Sequence, residues 1–363
     1  MIDEIKSFDE AYRKEILPLL AEFESYRKEE LRKYNIKNTV WILVFAILIV
    51  PFIICIIAFN KDNSSALVAL FIVCPCLLAL IFVLAVTYTS CKVTTPKEFK
   101  NFIKTHCFQK ILPHFGNFNW KHRLIGEELL EKSDLFPYFN NTHVDDYFNG
   151  QYKNISFFVE EICLTVKSEK HNIRFFKGIV ILFPSNKIVK ARTIVSTKGD
   201  LTKKNQLLVQ MFVALISGIG IFKDGYAHWK WILLIIVLAV VFLIMKTIEK
   251  NNEPLDEVLL EDPKFAKRFN VYSSDQVEAR YLVTPAFMER MQNLQTAFGT
   301  KNVKCSFFED KIMFAISTDR DLFEIGDLFT PMADPKQIYK FREELLSIYK
   351  MIEYFKLNEK TGL

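Results

Sequence analysis

Apolar residues are laid along this chain in three rhythms, each predicting a different kind of element. From Ile5 to Tyr26 they recur at steps of three and four, through Phe8, Tyr12, Ile16, Leu19 and Phe23. That spacing predicts one amphipathic helix, bent at Pro18. Residues 40–59 are then uninterruptedly apolar, long enough to cross a hydrocarbon core of about 30 Å at about 1.5 Å per residue. After the short polar turn NKDNSS, residues 66–88 repeat the run, so the two predict an antiparallel transmembrane hairpin. Pro51 and Pro75 fall near the middle of its two helices, where a kink is tolerated. A second pair follows at 207–222 and 231–245. Its first run is short and contains Gln210, which leaves a re-entrant form open, whereas its second follows the aromatic cluster YAHWKW, typical of a membrane interface.

The third rhythm lies between residues 144 and 195. The stretch YKNISFFVEEICLTVKSEKHNIRFFKGIVILFPSNKIVKARTIV is rich in β-branched and aromatic residues, with turn signals at KSEKHN and PSN, and predicts an antiparallel β-meander. From residue 259 the pattern reads as a strand, helices, a β-hairpin around FFEDKIMFAIS and a last helix. That helix starts with Asp334 as N-cap and Pro335 in the first turn. Its narrow seam of Ile338, Phe341, Leu345, Ile348, Ile352 and Phe355 reads as packing on the protein's own sheet, with self-association as the alternative. The expected fold class is α+β: an N-terminal transmembrane helical hairpin plus a cytoplasmic antiparallel β-meander with flanking helices, interrupted by a second membrane hairpin. The divisions fall at 1–37, 38–90, 91–206, 207–246 and 247–363.

Charge sets the orientation. Arg27, Lys28, Arg32, Lys33 and Lys37 precede the first apolar run and Lys92, Lys97, Lys100 and Lys104 follow the second, while the turn between them offers only Lys61. Both flanks therefore face the cytoplasm, and a second complete hairpin would return the rest of the chain to the same side. The protein is expected in the inner membrane as a multi-pass protein with both termini cytoplasmic. Its net charge of +5 is small against 47 Lys and Arg and 42 Asp and Glu, and the basic residues form no stripe, so nucleic acid is excluded as a partner. The seven Cys, at 55, 74, 76, 91, 107, 163 and 305, show no repeated zinc-type spacing and suit a reducing compartment.

The most residue-specific stretch is FNVYSSDQVEARYLVTPAFMER. Most of it has structural work. Asp262 and Pro263 open one helix, Asp275 and Glu278 have the spacing of a capping box, and Thr284 with Pro285 marks a restart. Val277, Tyr281, Thr284, Met288, Met291, Leu294 and Phe298 read as one continuous stripe through that break. Arg280 is left over, because its neighbours three and four residues away are Gln276, Val277, Val283 and Thr284, none of them acidic. Buried, it needs a tertiary partner; exposed, it can hold a phosphate or a partner's carboxylate. Arg280, Asp275 and Glu278 are the candidate binding residues.

The segment LEDPKFAKRFNVYSSDQVEARYLVTPAFMERM, with SDLF, DDYFNG and FFKGIVILF upstream, resembles the bacterial membrane-protein family called domain of unknown function 3137. The resemblance implies a paired N-terminal membrane anchor and a soluble α+β domain, and carries no catalytic residue. The second apolar pair departs from that pattern, standing where relatives have a shorter connection.

Candidate chemistry is sparse. Cys74 and Cys76 flank Pro75 within the second apolar run, and this Cys-Pro-Cys is similar to the membrane metal site of heavy-metal-pumping P-type ATPases, whose thiolates suit Cu(I) or zinc. The phosphorylation loop of such pumps is missing. His143, Asp145 and Asp146 offer ligand types, but strand alternation sends neighbours to opposite faces. Asp200 and the acids of FFED read as turn residues. No phosphate-binding glycine loop, nucleophile elbow or metalloprotease motif occurs. The expectation is a bilayer-anchored binding module, without cofactor, that engages a protein partner or itself. Metal handling through Cys74 and Cys76 is the first alternative, although the four apolar runs hold no charged residue to define an ion path. An enzyme without a recognisable motif is the second.

Overall fold

The computed structural model describes residues 8–59, 81, 94–120, 125–167, 172–200, 202, 239, 255–297, 300 and 302–357. The chain divides into two compact units, one from Met1–His114 with Glu324–Phe341, the other from Phe115–Phe323 with Arg342–Leu363.

The first unit is helical. Its long helix α1 (Leu17–Phe59) is entered through a π-helical turn at Tyr12–Ile16. Pro18 accounts for that turn: it lacks an N–H and its ring crowds the carbonyl of residue 14, and a wider turn relieves the clash where a bend was expected. Helix α2 (Pro96–Ile111) opens with a complete capping box, Thr95 Oγ1 accepting from Glu98 N at 3.2 Å and Glu98 Oε2 accepting from Thr95 N at 2.8 Å. Tyr26 of α1 meets Phe102 and Phe99 of α2 with ring centroids 4.8 and 6.0 Å apart. Arg27 is buried, donating to both oxygens of Glu24 at 2.7 and 2.8 Å and to Leu328 O at 2.9 Å, while Glu24 also accepts from Met332 N. One cation of the orientation cluster is therefore an internal fastener for the segment around 324–334.

Residues 40–59 form the last part of α1, whose backbone is described to Phe59 although the side chains of 44, 45, 47, 48 and 50–59 are not. Apart from Ile81 and Ala239, the runs 66–88, 207–222 and 231–245 lie outside the described residues. Among the described residues no helix is long and apolar enough to cross a membrane. The two expected membrane hairpins thus stand on sequence alone.

The second unit is built on a nine-stranded antiparallel sheet of order β1-β2-β3-β4-β9-β8-β5-β7-β6. Its strands are β1 (Phe118–Trp120), β2 (Asn141–Tyr152), β3 (Ile155–Lys167), β4 (Asn172–Pro184), β5 (Thr193–Thr197), β6 (Asp256–Glu257), β7 (Phe269–Ser273), β8 (Val303–Phe308) and β9 (Lys311–Ser317). The expected meander holds for β2, β3 and β4 but not for β5, because the β8–β9 hairpin lies between β4 and β5. Two tight turns fix register. Lys153 and Asn154 link β2 to β3, and Glu309 and Asp310 link β8 to β9, each pair with φ between 47° and 66°. Two successive positive φ values are the geometry whose twist matches antiparallel strands.

Both faces of the sheet are covered, which is why the second half of β4, Ile179 to Phe183, reads as an unbroken apolar run. Val180 and Leu182 of β4, with Met313 and Ala315 of β9, pack beside Leu130 of helix α3 (Glu127–Lys132) and the following Leu135, Phe136 and Phe139. The other face holds Phe314 of β9, whose ring lies 4.7 Å from Phe355. Helices α4 (Pro263–Arg268), α5 (Gln276–Leu282) and α6 (Pro285–Ala297) follow β6, and Phe287 of α6 lies 5.5 Å from the same Phe355. The last helix, α7 (Pro335–Tyr354), gives its first residues to the first unit and the rest to the second. All six residues of its predicted seam are at most 1% exposed, so the seam is spent on the chain's own core.

Candidate functional site

The motif stretch spans β7, α5 and the start of α6. Asp262 caps α4 by accepting from Lys264 N at 2.8 Å, and Thr284 Oγ1 accepts from Phe287 N at 3.3 Å where α6 restarts at Pro285. Asp275 caps α5, its Oδ1 accepting from Val277 N at 2.7 Å and Glu278 N at 3.0 Å. Glu278 does not complete the expected box. Its Oε1 instead accepts from the backbone N–H groups of Lys190 and Ala191 at 2.8 and 2.9 Å, tying α5 to the segment between β4 and β5. At the other end of α5, Lys187 donates its ammonium to Tyr281 O and lies 3.9 Å from the centroid of the Tyr281 ring. A cation at the carbonyl end of a helix is favourably placed. Burial pushes the Lys187 amine below its ordinary range. Sequence reading passed over Lys187, because nothing local marks a lysine in a PSNK turn as a helix cap.

The expected stripe does not survive the break. In α6, Met288, Met291 and Leu294 are buried as predicted, while Phe298 lies outside the described residues. In α5 the buried positions are Ala279 and Leu282, and Val277 and Tyr281 face solvent at 77% and 56% exposure. The reason is phase: Val283, with φ −95° and ψ 67°, ends α5 and resets the helical rotation before α6. Two more large apolar residues are exposed on the segments fastened to α5: Leu259, 77% exposed, whose carbonyl is bonded from α5, and Ile188, 73% exposed, between Lys187 and Lys190. Arg280 joins α5 to Leu259 by donating to Leu259 O at 3.4 Å and to Gln276 O at 3.1 Å. Arg280 is exposed, and both of its partners are neutral carbonyls. The result is a short, doubly fastened helix offering a guanidinium bonded only to carbonyls on the same helix as exposed Val277 and Tyr281, with exposed Leu259 and Ile188 on the segments tied to it, features suited to a carboxylate or phosphate with apolar flanks.

A second constellation lies within the sheet. The register shifts between Val144 and Asp146, so Asp145 is the extra residue of a β-bulge. Strict alternation would separate Asp145 from Asp146; the bulge brings both carboxylates together with Glu161, each offering an oxygen within 4.8 Å of the others. Asp146 is directly opposite Glu161 on the neighbouring strand and accepts from Trp120 Nε1 at 3.2 Å. His143, exposed and opposite Cys163, is not part of the group. Burial, with the charges of Asp321, Asp146 and Asp145 added, pushes the Glu161 carboxyl up to about 8, partly offset by the Leu322 N–H 3.2 Å from its Oε2. On the opposite face Glu160 accepts from Ile125 N, and burial pushes its carboxyl up to about 7. The Glu161 carboxyl therefore keeps its proton to a higher pH than an ordinary carboxyl, which spares the site a third buried negative charge. The clue in the sequence was the adjacent pair in VEEI, which no single exposed strand face can accommodate.

Asp200 closes a turn, as read from the sequence, its N–H donating to Thr197 O at 3.1 Å, and its carboxylate is nearly buried, 3.2 Å from the ammonium of Lys304, itself 1% exposed. Cys74 and Cys76 lie outside the described residues.

The family model described as "Protein of unknown function (DUF3137)" matches residues 174–357, from within β4 to just past the last helix. No curated protein matches the chain. Among solved structures, the crystal structure of the mycobacterial trehalose monomycolate transport factor A aligns over 70% of this chain and 94% of its own, at 10% identity and a TM-score of 0.28, a likeness too slight to bear on fold or function.

Proposed function

Because the chain belongs to the DUF3137 family, proteins of unknown function, and the matched region includes the whole Arg280 face, we propose that it is a membrane-anchored binding module and that this face is its docking surface. The apolar end of α1 and the run 66–88 form the anchor in the inner membrane. The basic flanks of that pair hold the N-terminus and the sheet on the cytoplasmic side, and 207–246 makes a second hairpin returning to the same side. The occupant of the surface is a protein segment carrying a carboxylate for Arg280, with apolar side chains on either side of it.

The observation that carries this reading is the exposure of Val277 and Tyr281 on α5, and of Leu259 and Ile188 on the segments tied to that helix, together with a guanidinium bonded only to neutral carbonyls. An apolar group of this kind on a structured surface marks an interaction site more often than a single exposed residue does. Arg with aromatic company is the composition of interface hot spots.

The test is site-specific photo-crosslinking in intact membranes, with benzoylphenylalanine at position 277 and, as control, at Tyr138, which is 49% exposed elsewhere on the same unit. A discrete adduct is expected from 277, weak or absent from 138, and lost when Arg280→Glu or Tyr281→Ser is added to the 277 probe. Equal adducts from both positions, or a 277 adduct indifferent to Arg280→Glu in a folded protein, would remove the face from the interface.

A further inference from the structure

We infer that α1 carries, just before its apolar end, a docking strip for anionic phospholipid headgroups, formed by Lys28 and Arg32; this rests on the membrane anchor proposed above. The strip lines a shallow groove with Leu31, Asn35, Ile36 and Val40. Lys28, Arg32, Asn35 and Thr39 recur at steps of three and four, so they run in line along one side of the helix.

What singles the two cations out is the fate of Arg27 and Lys33, and their own exposure, Lys37 farther along being half-buried. Arg27 is buried in its bonds to Glu24 and Leu328 O. Lys33 lies between Glu29 at 2.7 Å and Glu30 at 2.9 Å, and these bonds raise its amine above the ordinary range. Lys28 and Arg32 are exposed and have no ion pair among the described residues. Farther along the helix the exposed residues turn apolar, with Ile36, Ile42, Leu43 and Ile49 between 47% and 68% exposed. Two exposed cations without a salt bridge of their own, Lys28 only adding its charge to the field at Glu24, followed by an exposed apolar surface, match the layering of a leaflet, in which phosphate lies above acyl chain. A soluble acidic protein would satisfy the cations but leave that apolar continuation uncovered. Asn35 and Thr39 add hydrogen-bonding groups at the boundary.

The experiment uses the full-length protein in two steps. Flotation with phosphatidylcholine vesicles first reads anchoring alone. Native mass spectrometry of protein taken from vesicles of equal phosphatidylcholine and phosphatidylglycerol then reads which lipid is retained. The wild type is expected to float and to retain phosphatidylglycerol in preference, by roughly fivefold for each engaged cation. Lys28→Gln with Arg32→Gln should bring retention to parity without altering flotation, and Lys33→Gln should leave the preference intact. Parity in the wild type, or a preference untouched by the double variant, would overturn the strip while the anchor stands. Failure of the wild type to float would overturn the anchor, and the strip with it.

Discussion

Glu161 is a carboxyl group held where a carboxylate is costly, so its effect on stability has a definite sign. Its folded value near 8 lies above the ordinary 4.5, and the folded protein therefore binds a proton between those limits that the unfolded chain has released. Stability is full below about pH 4.5 on this account and falls as pH rises through 8; Glu160, raised to about 7, acts in the same direction. The melting temperature should decline between pH 5 and pH 8.5, and Glu161→Gln should flatten that decline while leaving the portion due to Glu160. A melt series in which the variant and wild type lose stability in parallel would show that Glu161 does not titrate in the folded protein. Gly178 makes a sharper demand. Its φ is +155°, and a Cβ there would stand 2.1 Å from Ile316 O, at the first pair joining β4 to β9. Gly178→Ala should destabilise by more than about 1 kcal/mol, visible as a lower urea midpoint.

Helix α5 has only seven residues and holds its place by its ends. Asp275→Ala removes the acceptor of two backbone N–H groups and should cost about 1 kcal/mol. Glu278→Ala should cost a similar amount by leaving the N–H groups of Lys190 and Ala191 without that acceptor. Arg280→Ala, by contrast, loses only two exposed bonds to carbonyls and should alter the urea midpoint little. That separation makes Arg280 a clean reporter of binding. The ends of these elements were legible in the sequence, since Asp262-Pro263, Thr284-Pro285 and Asp334-Pro335 act through local chemistry. The three strands of the meander were legible for the same reason, as runs of matching residues between turn signals. What could not be read is whatever depends on phase or on distant neighbours. A single backbone kink at Val283 turned Val277 and Tyr281 outward, and a single inserted residue brought Asp145 beside Asp146. Arg280 was marked as unexplained by its neighbours, yet one of its two bonds goes to Leu259 O, 21 residues away in sequence.

The strand order adds a relation between distant parts of the chain. Residues 203–254 leave after β5 and return before β6, and β5, β7 and β6 are consecutive in the sheet. The strand ends Thr197 and Asp256 are about 17 Å apart, given about 4.8 Å between strands and about 3.4 Å per residue. Replacing 203–254 by about ten Gly and Ser residues should therefore preserve the sheet, with unchanged strand content by circular dichroism and one cooperative unfolding transition; a loss of cooperativity would show that the replaced segment helps to hold the sheet together. The same order fixes when the sheet can close. The hairpin of β8 and β9 occupies the middle of the sheet, between β4 and β5, yet comes late in the chain. During synthesis every other strand leaves the ribosome first, so β4 and β5 wait with unpaired edges until the central two arrive. Bare edges of this kind recruit other strands. A chain stalled before residue 303 is thus the aggregation-prone form of this protein, and the interval before the hairpin emerges is when a holding chaperone would matter most.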